Sequence, residues 1–471
     1  MTSWKSPTRF SFDFAHAGRV TWTHGRSDGS LEESGIPARF SVDDAEIAHN
    51  FAQMVKPMLA DLVDIAIAIH MADRLAVRTL NCRHTWSRRL HLKICVRHPE
   101  LWADAAMRKQ LEELLAFLTE DIWTFDFVLH RDPRRTSEIQ GFLFPGGNTN
   151  ISSTSLFSGG LDSLAGTFAA ISKATCNHFI LVSASPNFRQ RVRQQQQVKI
   201  LREELGAKIS HVSIPYGMQN GDQYAQEPSR RTRGFLFLVL GGVTAISAGS
   251  SALTLYENGL GAINLPYDQS QIGTDNARAV HPRMLRYAAA LLSNLAEQPF
   301  SVLNPCIYLT KAEMVRPLAA DRTQRAIPLT FSCDGFPVRA KGHAQCGFCT
   351  SCLLRRFSLE IAGLQHLDSQ EYLRDWKSNS FVLSKHHLRG LRAMDWQVLR
   401  FQKCFKTQDS WSALTLEFPE LRALLNDLCL LHGETCSEVI AKLSSLIRQY
   451  STDWPGFSAL PLLNVTNTKV A

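Results

Sequence analysis

The sequence predicts an α/β protein in which parallel strands alternate with helices, and three observations lead to this fold class. Strand-like and helix-like patterns alternate through residues 151–364, as in a parallel sheet with helices on both faces. A glycine-containing turn joins the first strand of this segment to its first helix. Four cysteines between positions 333 and 352 have the spacing of a metal knuckle.

The patterns divide the 471 residues into three regions. Residues 1–150 mix strand and helix signals, which predicts an N-terminal α+β domain with an accessory or partner-docking role. Its elements are the alternating segments RFSFDF and RRLHLKICV, a helix over 46–76 and the amphipathic segment MRKQLEELLAFL. Residues 151–364 form the parallel-sheet domain, which contains the knuckle at 333–352. Residues 365–471 have helical patterns and are predicted to form a C-terminal helical region.

In the middle region, each strand is a short apolar run that is followed by a helical segment. The strands are TSLF, HFILVSAS, KISHVSIPY and ALTLYENG. The helices are LAGTFAAISK, a polar one over 189–205 and a buried one over 228–247. The uncharged stretch 234–256 also has the length of a membrane span, but glycine and serine at 249–251 interrupt its apolar pattern. A buried helix, a turn and a buried strand therefore explain this stretch better.

The composition is that of a soluble globular protein, with 45% hydrophobic and 20% charged residues. The net charge of +8 fits an anionic ligand and permits nucleic acid without requiring it. The N-terminal segment lacks an apolar core with a cleavage site, so no signal peptide is expected. The 11 cysteines are therefore expected to be reduced, in a cytoplasmic setting.

The glycine turn SGGLDS, at 158–163, is placed like a phosphate-binding loop. At such a turn, backbone N–H groups converge and the helix N-terminus adds partial positive charge. Gly159 and Gly160 would let the backbone close around an oxyanion. Ser158 and Ser163 could add hydroxyl donors. A carboxylate would repel phosphate, so Asp162 is expected to bind Mg²⁺ that accompanies the phosphates. The alternative is a tight turn in which Asp162 caps the helix.

Cys333, Cys346, Cys349 and Cys352 form the second motif, and the last three have the spacing C-x2-C-x2-C. Four thiolates this close together in a reduced compartment predict a tetrahedral Zn²⁺ site, and Gly347 relieves crowding in the knuckle. The zinc would be structural, because four protein thiolates leave no open position for water. An iron–sulfur cluster is the alternative, since three closely spaced cysteines can also ligate one.

SGGLDS resembles the PP-loop of ATP pyrophosphatases, in which the loop holds the pyrophosphate leaving group of ATP. The mononucleotide loop GxxxxGK[ST] is absent, because no Gly-Lys pair occurs in the chain. Together with RRTRGFLFL at 230–238, LTKAEMV at 309–315 and CGFCTSCLLRR, the loop resembles the 7-cyano-7-deazaguanine synthase family. The resemblance covers about residues 152–360. The long chain resembles the form found in bacterial anti-phage defence operons. Gly234 stands where many relatives have Asn, and the spacing from Cys333 to Cys346 is longer than theirs.

The resemblance implies an ATP-dependent C–N ligase. It would adenylate the carboxylate of a 7-carboxy-7-deazaguanine-like substrate, release pyrophosphate, and then form an amide or a nitrile. The acceptor would be ammonia or, in the defence-associated form, an amine of a partner protein. ATP would be bound by Ser158, Gly159, Gly160, Leu161, Asp162 and Ser163. The implied catalytic residues are Asp162, which holds Mg²⁺, and Arg233 and Lys311, which neutralise charge at the α-phosphate.

The segment 257–285 is expected to line the substrate pocket at the C-terminal edge of the sheet. Its polar residues include Glu257, Asn258 and Asp275, and the predicted substrate contacts are Asn264, Asp268 and His281. His281 precedes a proline, so it could equally cap a helix.

Two other function classes stay open. A tRNA-modifying PP-loop enzyme, such as a thiolase, would need RNA contacts and a cysteine near the loop. Cys176 and Cys306 are the nearby candidates, and neither lies in an evident active-site motif. A non-catalytic nucleotide-binding subunit of a defence complex is the third class, and the intact SGGLDS argues against it.

Overall fold

A computed structural model describes residues 8–13, 19–25, 31–33, 38–47, 55–78, 87–130, 138, 153–174, 178–219, 226–267, 278–320, 322–335, 345–369, 372–374 and 385–454. The strands are β1 (Thr8–Asp13), β2 (Arg19–Gly25), β3 (Leu31–Glu33), β4 (Ala38–Val42), β5 (Arg89–Val96), β6 (Ile122–Leu129), β7 (Ser153–Leu156), β8 (His178–Ser185), β9 (Lys208–Gln219), β10 (Ala252–Thr254) and β11 (Ser301–Leu303).

The α-helices are α1 (Pro57–Leu75), α2 (Pro99–Ala103), α3 (Ala105–Thr119), α4 (Leu161–Lys173), α5 (Phe188–Leu205), α6 (Arg233–Ser247), α7 (Gly259–Ile263), α8 (Pro282–Ala296), α9 (Lys311–Val315), α10 (Thr350–Ile361), α11 (Lys385–Cys404), α12 (Ser410–Glu417), α13 (Glu420–His432) and α14 (Cys436–Asp453). Short 3-10 helices cover Arg278–Val280, Arg316–Ala320, Arg322–Leu329 and Gln365–Leu367. None of the described helices combines the length and the hydropathy that a membrane span requires.

The fold is α/β, as predicted, and the described strands form one 11-stranded sheet. The strands β11, β10, β7, β8 and β9 are neighbours in that order and run parallel. From β7 the chain proceeds to β8 on one side, and it reaches β10 on the other side only later. The strand order therefore reverses between β7 and β10, which is the place where sheets of this kind bind ligands.

Strand β8 shows why the sequence folds into a sheet with two covered faces. Its apolar run is buried on both sides, as parallel strands require. Phe179 and Leu181 pack with side chains of α4 and α5. Ile180 and Val182 pack with side chains of α6 and α8 on the opposite face. The alternation follows from the two-residue period of a strand.

The sheet continues from the parallel strands into the N-terminal region. Strand β4 pairs antiparallel with β9 in a register that places Val42 opposite Tyr216. Strands β4, β2 and β1 are antiparallel neighbours, and β1, β5 and β6 are parallel. Helix α1 is almost fully buried and packs on β5 and on α6. The predicted boundary near residue 150 thus falls between two parts of one sheet, and the domain division stays a prediction.

Two predicted helices begin later than the sequence pattern suggested. The helix predicted over 46–76 contains α1, which begins at Pro57, where proline is well suited to a first helical position; residues 45–47 are also helical but separate from it. The buried helix predicted over 228–247 begins only at Arg233. Arg230, just before it, has a positive φ of +48°, and Thr232 binds Asp73 of α1.

The C-terminal region contains the helices α11 to α14, which build a core of their own. Phe401, Leu424 and Leu446 are among its buried side chains. This core also takes in Ile263 of α7 and Phe357 of α10. The C-terminal helices therefore support the two short elements that flank the C-terminal edge of the parallel sheet.

Candidate functional site

The loop after β7 turns sharply at Gly159, where φ is +81°. A Cβ atom at Gly159 would lie 2.9 Å from Gln194 Cγ and 3.0 Å from the Phe331 ring, so the turn has no room for a side chain. The Gly160 N–H donates to Ser158 Oγ at 3.2 Å. Ser158 Oγ in turn donates to Ser163 Oγ, also at 3.2 Å. The two predicted hydroxyl groups therefore meet above the start of α4.

Asp162 lies in the first turn of α4 and does not cap it, since the N-cap is Gly160 and no side chain caps this helix. Its Oδ2 atom lies 3.1 Å from Lys311 Nζ and accepts a hydrogen bond from Asn258 Nδ2 at 2.9 Å. Burial opposes ionisation, but the charge of Lys311 and these hydrogen bonds hold the pKa of Asp162 below its ordinary value. The carboxylate is therefore charged at neutral pH.

Glu257 follows β10 and lies beside Asp162, across the point where the strand order reverses. Asn258 Nδ2 donates to Glu257 Oε1 at 2.7 Å, so one amide group bridges both carboxyl groups. Burial and the charge of Asp162 raise the pKa of Glu257 well above its ordinary value. Among the described residues, no N–H or hydroxyl group donates to the buried Asp162 Oδ1. The two carboxyl groups together form an oxygen-rich site of the kind that divalent cations prefer.

Lys311 is placed by the capping box at the start of α9. Thr310 Oγ1 accepts from the Glu313 N–H at 3.2 Å, and Glu313 Oε2 accepts from the Thr310 N–H at 2.8 Å. Lys311 is the first residue of this helix and is buried. The segment LTKAEMV thus places a lysine beside Asp162. The T-x-x-E pattern of its capping box can be found in the sequence.

A cavity of about 260 Å³ opens beside the loop, at the reversal point of the sheet. Its floor is apolar and comes from β7, β8, α6 and the residues after β10. The polar lining includes Ser158, Ser163 and Glu257 along the sheet edge, and Arg230, Arg231 and Arg233. Arg233 is exposed at the start of α6, so its charge is available to a bound anion.

The N-terminal region holds the arginine segment in place. Asp73 Oδ2 accepts from the Thr232 N–H at 3.1 Å and from Thr232 Oγ1 at 2.9 Å, and Asp73 Oδ1 pairs with Arg88 at 2.5 Å.

Because the Thr232 hydroxyl hydrogen points at Asp73, His70 Nδ1 is the donor in its 3.1 Å contact with Thr232 Oγ1. Burial lowers the pKa of His70 to about 4, which keeps the ring neutral. Arg231 also donates to the carbonyl of Thr119 in α3.

The predicted substrate contacts are not brought together at this cavity. Asn264 ends α7 in a left-handed conformation, with φ at +48°. His281 forms the helix cap: its Nδ1 accepts from the Arg283 N–H at 3.1 Å, and its ring packs on Phe117. Burial, with the charge of Arg283, lowers the pKa of His281 to about 3. Neither residue lines the cavity, and Asp268, like Asp275, lies outside the described residues.

The four predicted knuckle cysteines do come together. Their Sγ atoms lie within 4.8 Å of one another, and those of Cys346 and Cys352 are 3.8 Å apart. A tetrahedral ion with metal–sulfur bonds of about 2.3 Å requires sulfur–sulfur distances of about 3.8 Å. Backbone N–H groups of Cys346, Cys349 and Cys352 donate to the Sγ atoms of Cys333, Cys346 and Cys349 respectively. The arrangement could hold one tetrahedral metal ion.

Gly347 makes the tight knuckle feasible, as its sequence position suggested. Its φ is +86°, and a Cβ atom there would lie 2.2 Å from the carbonyl oxygen of Arg374. Any larger residue would push this backbone segment away from the cysteines on either side. The four thiol positions thus depend on a residue that is not itself a ligand.

Sequence reasoning missed two residues that contact the glycine turn. Gln194 Nε2 donates to the Ser158 carbonyl at 2.8 Å, and Gln197 Nε2 donates to the Gly159 carbonyl at 3.1 Å. The segment was expected to be a polar helix, and its outer face is polar. The signal that could have found the pair is the run of four glutamines at 194–197, since positions i and i+3 share one helix face.

No protein-family model matches the chain, and no curated protein matches its sequence. What the site can do chemically rests on its own geometry, which combines a glycine turn at a helix start, two adjoining carboxyl groups, a lysine and a cavity lined by arginines.

Proposed function

We propose that this protein uses ATP to adenylate a carboxylate and releases pyrophosphate. The observation that supports this function best is the meeting of Asp162, Glu257 and Lys311 beside the Gly159–Gly160 turn. These groups come from three separate segments and converge at the reversal point of a parallel sheet. The geometry favours a PP-loop ATP pyrophosphatase, in agreement with the resemblance of SGGLDS.

Phosphate groups of ATP would bind where the turn meets α4. The N–H groups at the start of a helix and in a glycine turn attract anions. Arg230, Arg231 and Arg233 add positive charge to the lining of the adjoining cavity. Lys311 would donate to the oxygens on which negative charge develops as pyrophosphate leaves.

Asp162 and Glu257 would hold Mg²⁺, for which the buried carboxyl oxygens of the pair are suitable ligands. When bound, the ion supplies positive charge to the phosphates. With Mg²⁺ held by the two carboxyl groups, Lys311, which lies 3.1 Å from Asp162, would be available to the phosphate oxygens.

The substrate class that we favour is a 7-carboxy-7-deazaguanine-like carboxylate. A carboxylate oxygen attacks the α-phosphorus, the bond to pyrophosphate breaks, and an acyl adenylate forms. An amine then attacks the acyl carbon and AMP leaves, which gives an amide; a second activation would dehydrate an unsubstituted amide to a nitrile. The apolar floor of the cavity suits a flat heteroaromatic ring, and its arginines suit the carboxylate.

The acceptor would be ammonia or an amine of a partner protein in anti-phage defence. In the second case, the N-terminal region would be the docking element. Its segments already hold Thr232, next to the cavity arginines, so a partner bound there would lie near the site. Zn²⁺ in the four-cysteine knuckle and a reducing, cytoplasmic compartment complete the proposal.

A thiolase-like reaction on tRNA is less well supported. Cys306 is buried, and burial together with the charge of Asp162 raises the pKa of its thiol to about 12. A thiol in that state is a poor nucleophile at neutral pH. Cys176 lies outside the described residues. A purely binding subunit would have no need for the buried pair of Lys311 and Asp162.

The test measures ATP cleavage products with 7-carboxy-7-deazaguanine present, for wild type and for Asp162→Ala. We expect AMP and pyrophosphate that depend on the substrate and disappear in the variant. Asp126→Ala, which removes a carboxylate that is 64% exposed on β6, is the matched control and should keep full activity. ADP and phosphate as products, or no turnover by the wild type, would overturn the mechanism.

A further inference from the structure

The four consecutive glutamines of α5 are of two kinds. Gln194 and Gln197 are fully buried, whereas Gln195 and Gln196 are exposed to solvent. A separation of three residues places the first and the last on the same face of the helix, and this face packs against the glycine turn. Only two of the four glutamines therefore belong to the solvent-facing polar surface of the helix.

The buried pair fixes the carbonyl groups of the turn. Gln194 Nε2 donates to the Ser158 carbonyl, and Gln197 Nε2 donates to the carbonyls of Gly159 and, at 3.2 Å, Leu329. The Phe331 N–H gives the Gly159 carbonyl a second donor at 3.2 Å. Both carbonyl groups thus point towards α5.

This orientation decides where the N–H groups of the turn point. In a trans peptide the C=O and the N–H point in opposite directions. With the carbonyls of Ser158 and Gly159 held against α5, the following N–H groups are turned towards the other side. There Gly160 N lies 3.2 Å from Ser158 Oγ, and the arginine-lined cavity begins.

Packing alone does not account for the two glutamines. The Oε1 atoms of Gln194 and Gln197 are buried, and no donor to them is found among the described residues. A buried amide with an unfilled acceptor is a less favourable filler than an apolar side chain of the same length. Their Nε2 groups, by contrast, each donate to a carbonyl of the turn.

We propose that Gln194 and Gln197 are positioning residues that hold the Ser158–Gly160 turn in its anion-binding shape. The proposal rests on the proposed binding of ATP phosphates at that turn. Without the two donors, the Ser158 carbonyl loses its bond to α5 and the Gly159 carbonyl keeps only the Phe331 N–H, so the carbonyl dipoles are held less firmly away from the anion.

The experiment uses the full-length, metal-loaded chain and two probes, inorganic pyrophosphate and Mg-ATP, in calorimetric titrations. Gln194→Met and Gln197→Met are compared with Gln195→Met and Gln196→Met, which make the same change on the exposed face of α5. We expect each buried variant to lose affinity about tenfold, because the anion must then bind to a turn that one hydrogen bond no longer holds in shape. The exposed variants should bind as the wild type does. The melting temperatures of the four variants should differ only slightly.

A second variant tests the donor role directly. The carboxylate of Gln194→Glu has no hydrogen to donate when it is ionised, but it regains one when it is protonated. Its affinity relative to wild type should therefore recover as the pH is lowered from about 8 to about 5.5, across the range in which a buried carboxyl group titrates. A residue that only fills space would show no such recovery.

The outcomes separate the two proposals. If the wild type binds neither pyrophosphate nor Mg-ATP, the proposed function fails. If the wild type binds them and all four methionine variants bind equally well, the function stands and the positioning role is overturned. The positioning role is also overturned if the buried variants lose affinity only in proportion to a lowered melting temperature.

Discussion

Gly159 is the residue on which the shape of the turn depends most directly. Gly159→Ala would place a Cβ against Gln194 and Phe331 at a positive φ, so we expect both lower stability and the loss of pyrophosphate binding. Gly206→Ala is the matched control, since Gly206 has φ at +61° but open space around it. It should lower the free energy of unfolding by about 1 kcal/mol and leave binding intact. Denaturant unfolding and calorimetric titration measure both effects, and equal losses in the two variants would refute the steric role.

Lys311 is the cation that keeps Asp162 charged in a buried place. Lys311→Met leaves that carboxylate without its partner, and breaking such a pair costs about 3–5 kcal/mol of unfolding free energy. The double variant Lys311→Met with Asp162→Asn removes both charges and should recover much of that loss, while AMP formation stays absent. Unfolding curves and AMP assays of the two variants test this. No recovery in the double variant would show that the two side chains act independently.

At the scale of elements, α10 is the helix that joins the knuckle to the glycine turn. Cys349 is its N-cap and Cys352 lies in its first turn. The fully buried Arg355 donates from α10 to Thr330 at 2.5 Å, and Phe331, the next residue, contacts Gly159. Loss of the metal should therefore loosen both the helix start and the turn.

Measuring the metal content of the purified protein tests the link between the knuckle and α10. We expect about one zinc per chain, lost in Cys352→Ala, together with a lower melting temperature after chelation, because four thiolates would repel once the ion is gone. Cys436→Ala, at an exposed cysteine outside the cluster, should keep the metal. Iron with visible absorbance, in place of zinc, would favour an iron–sulfur cluster.

How far the sequence could predict these elements depends on whether their causes are local. The apolar run of β8, the glycine turn and the cysteine spacing are local patterns, and each is found where it was expected. The approach of Glu257 to Asp162 depends on β10 lying beside β7, which no pattern within either segment specifies. The later start of α6 likewise depends on tertiary contacts, since Asp73 binds Thr232 at the N-cap and Arg230 just before it has a positive φ of +48°. Tertiary contacts of this kind override the local pattern.

At the scale of the whole molecule, buried histidines make the fold sensitive to acid. Burial lowers the pKa values of His70 and His211 to about 4, and that of His281 to about 3. The unfolded chain takes up protons below about pH 6.5, whereas the folded chain does not, so stability falls as the pH drops from about 6.5 towards 4. For His70 alone the slope is about 1.4 kcal/mol per pH unit.

Unfolding in denaturant between pH 7.5 and 5 measures this slope. His70→Gln should flatten it, because glutamine takes up no proton in either state. The variant still offers Thr232 a donor, so its stability at pH 7.5 should stay close to that of the wild type. An unchanged slope would mean that His70 is protonated in the folded protein.

The antiparallel pairing of β4 with β9 also governs the order in which the protein can assemble during translation. Val42 leaves the ribosome long before Tyr216, its partner in the register. At ordinary elongation rates the wait is on the order of ten seconds or more. Through that interval the nascent N-terminal region offers an unpaired strand edge, the feature that most readily captures other chains. We therefore expect synthesis of this protein to be more productive when neighbouring nascent chains stay apart until β9 emerges.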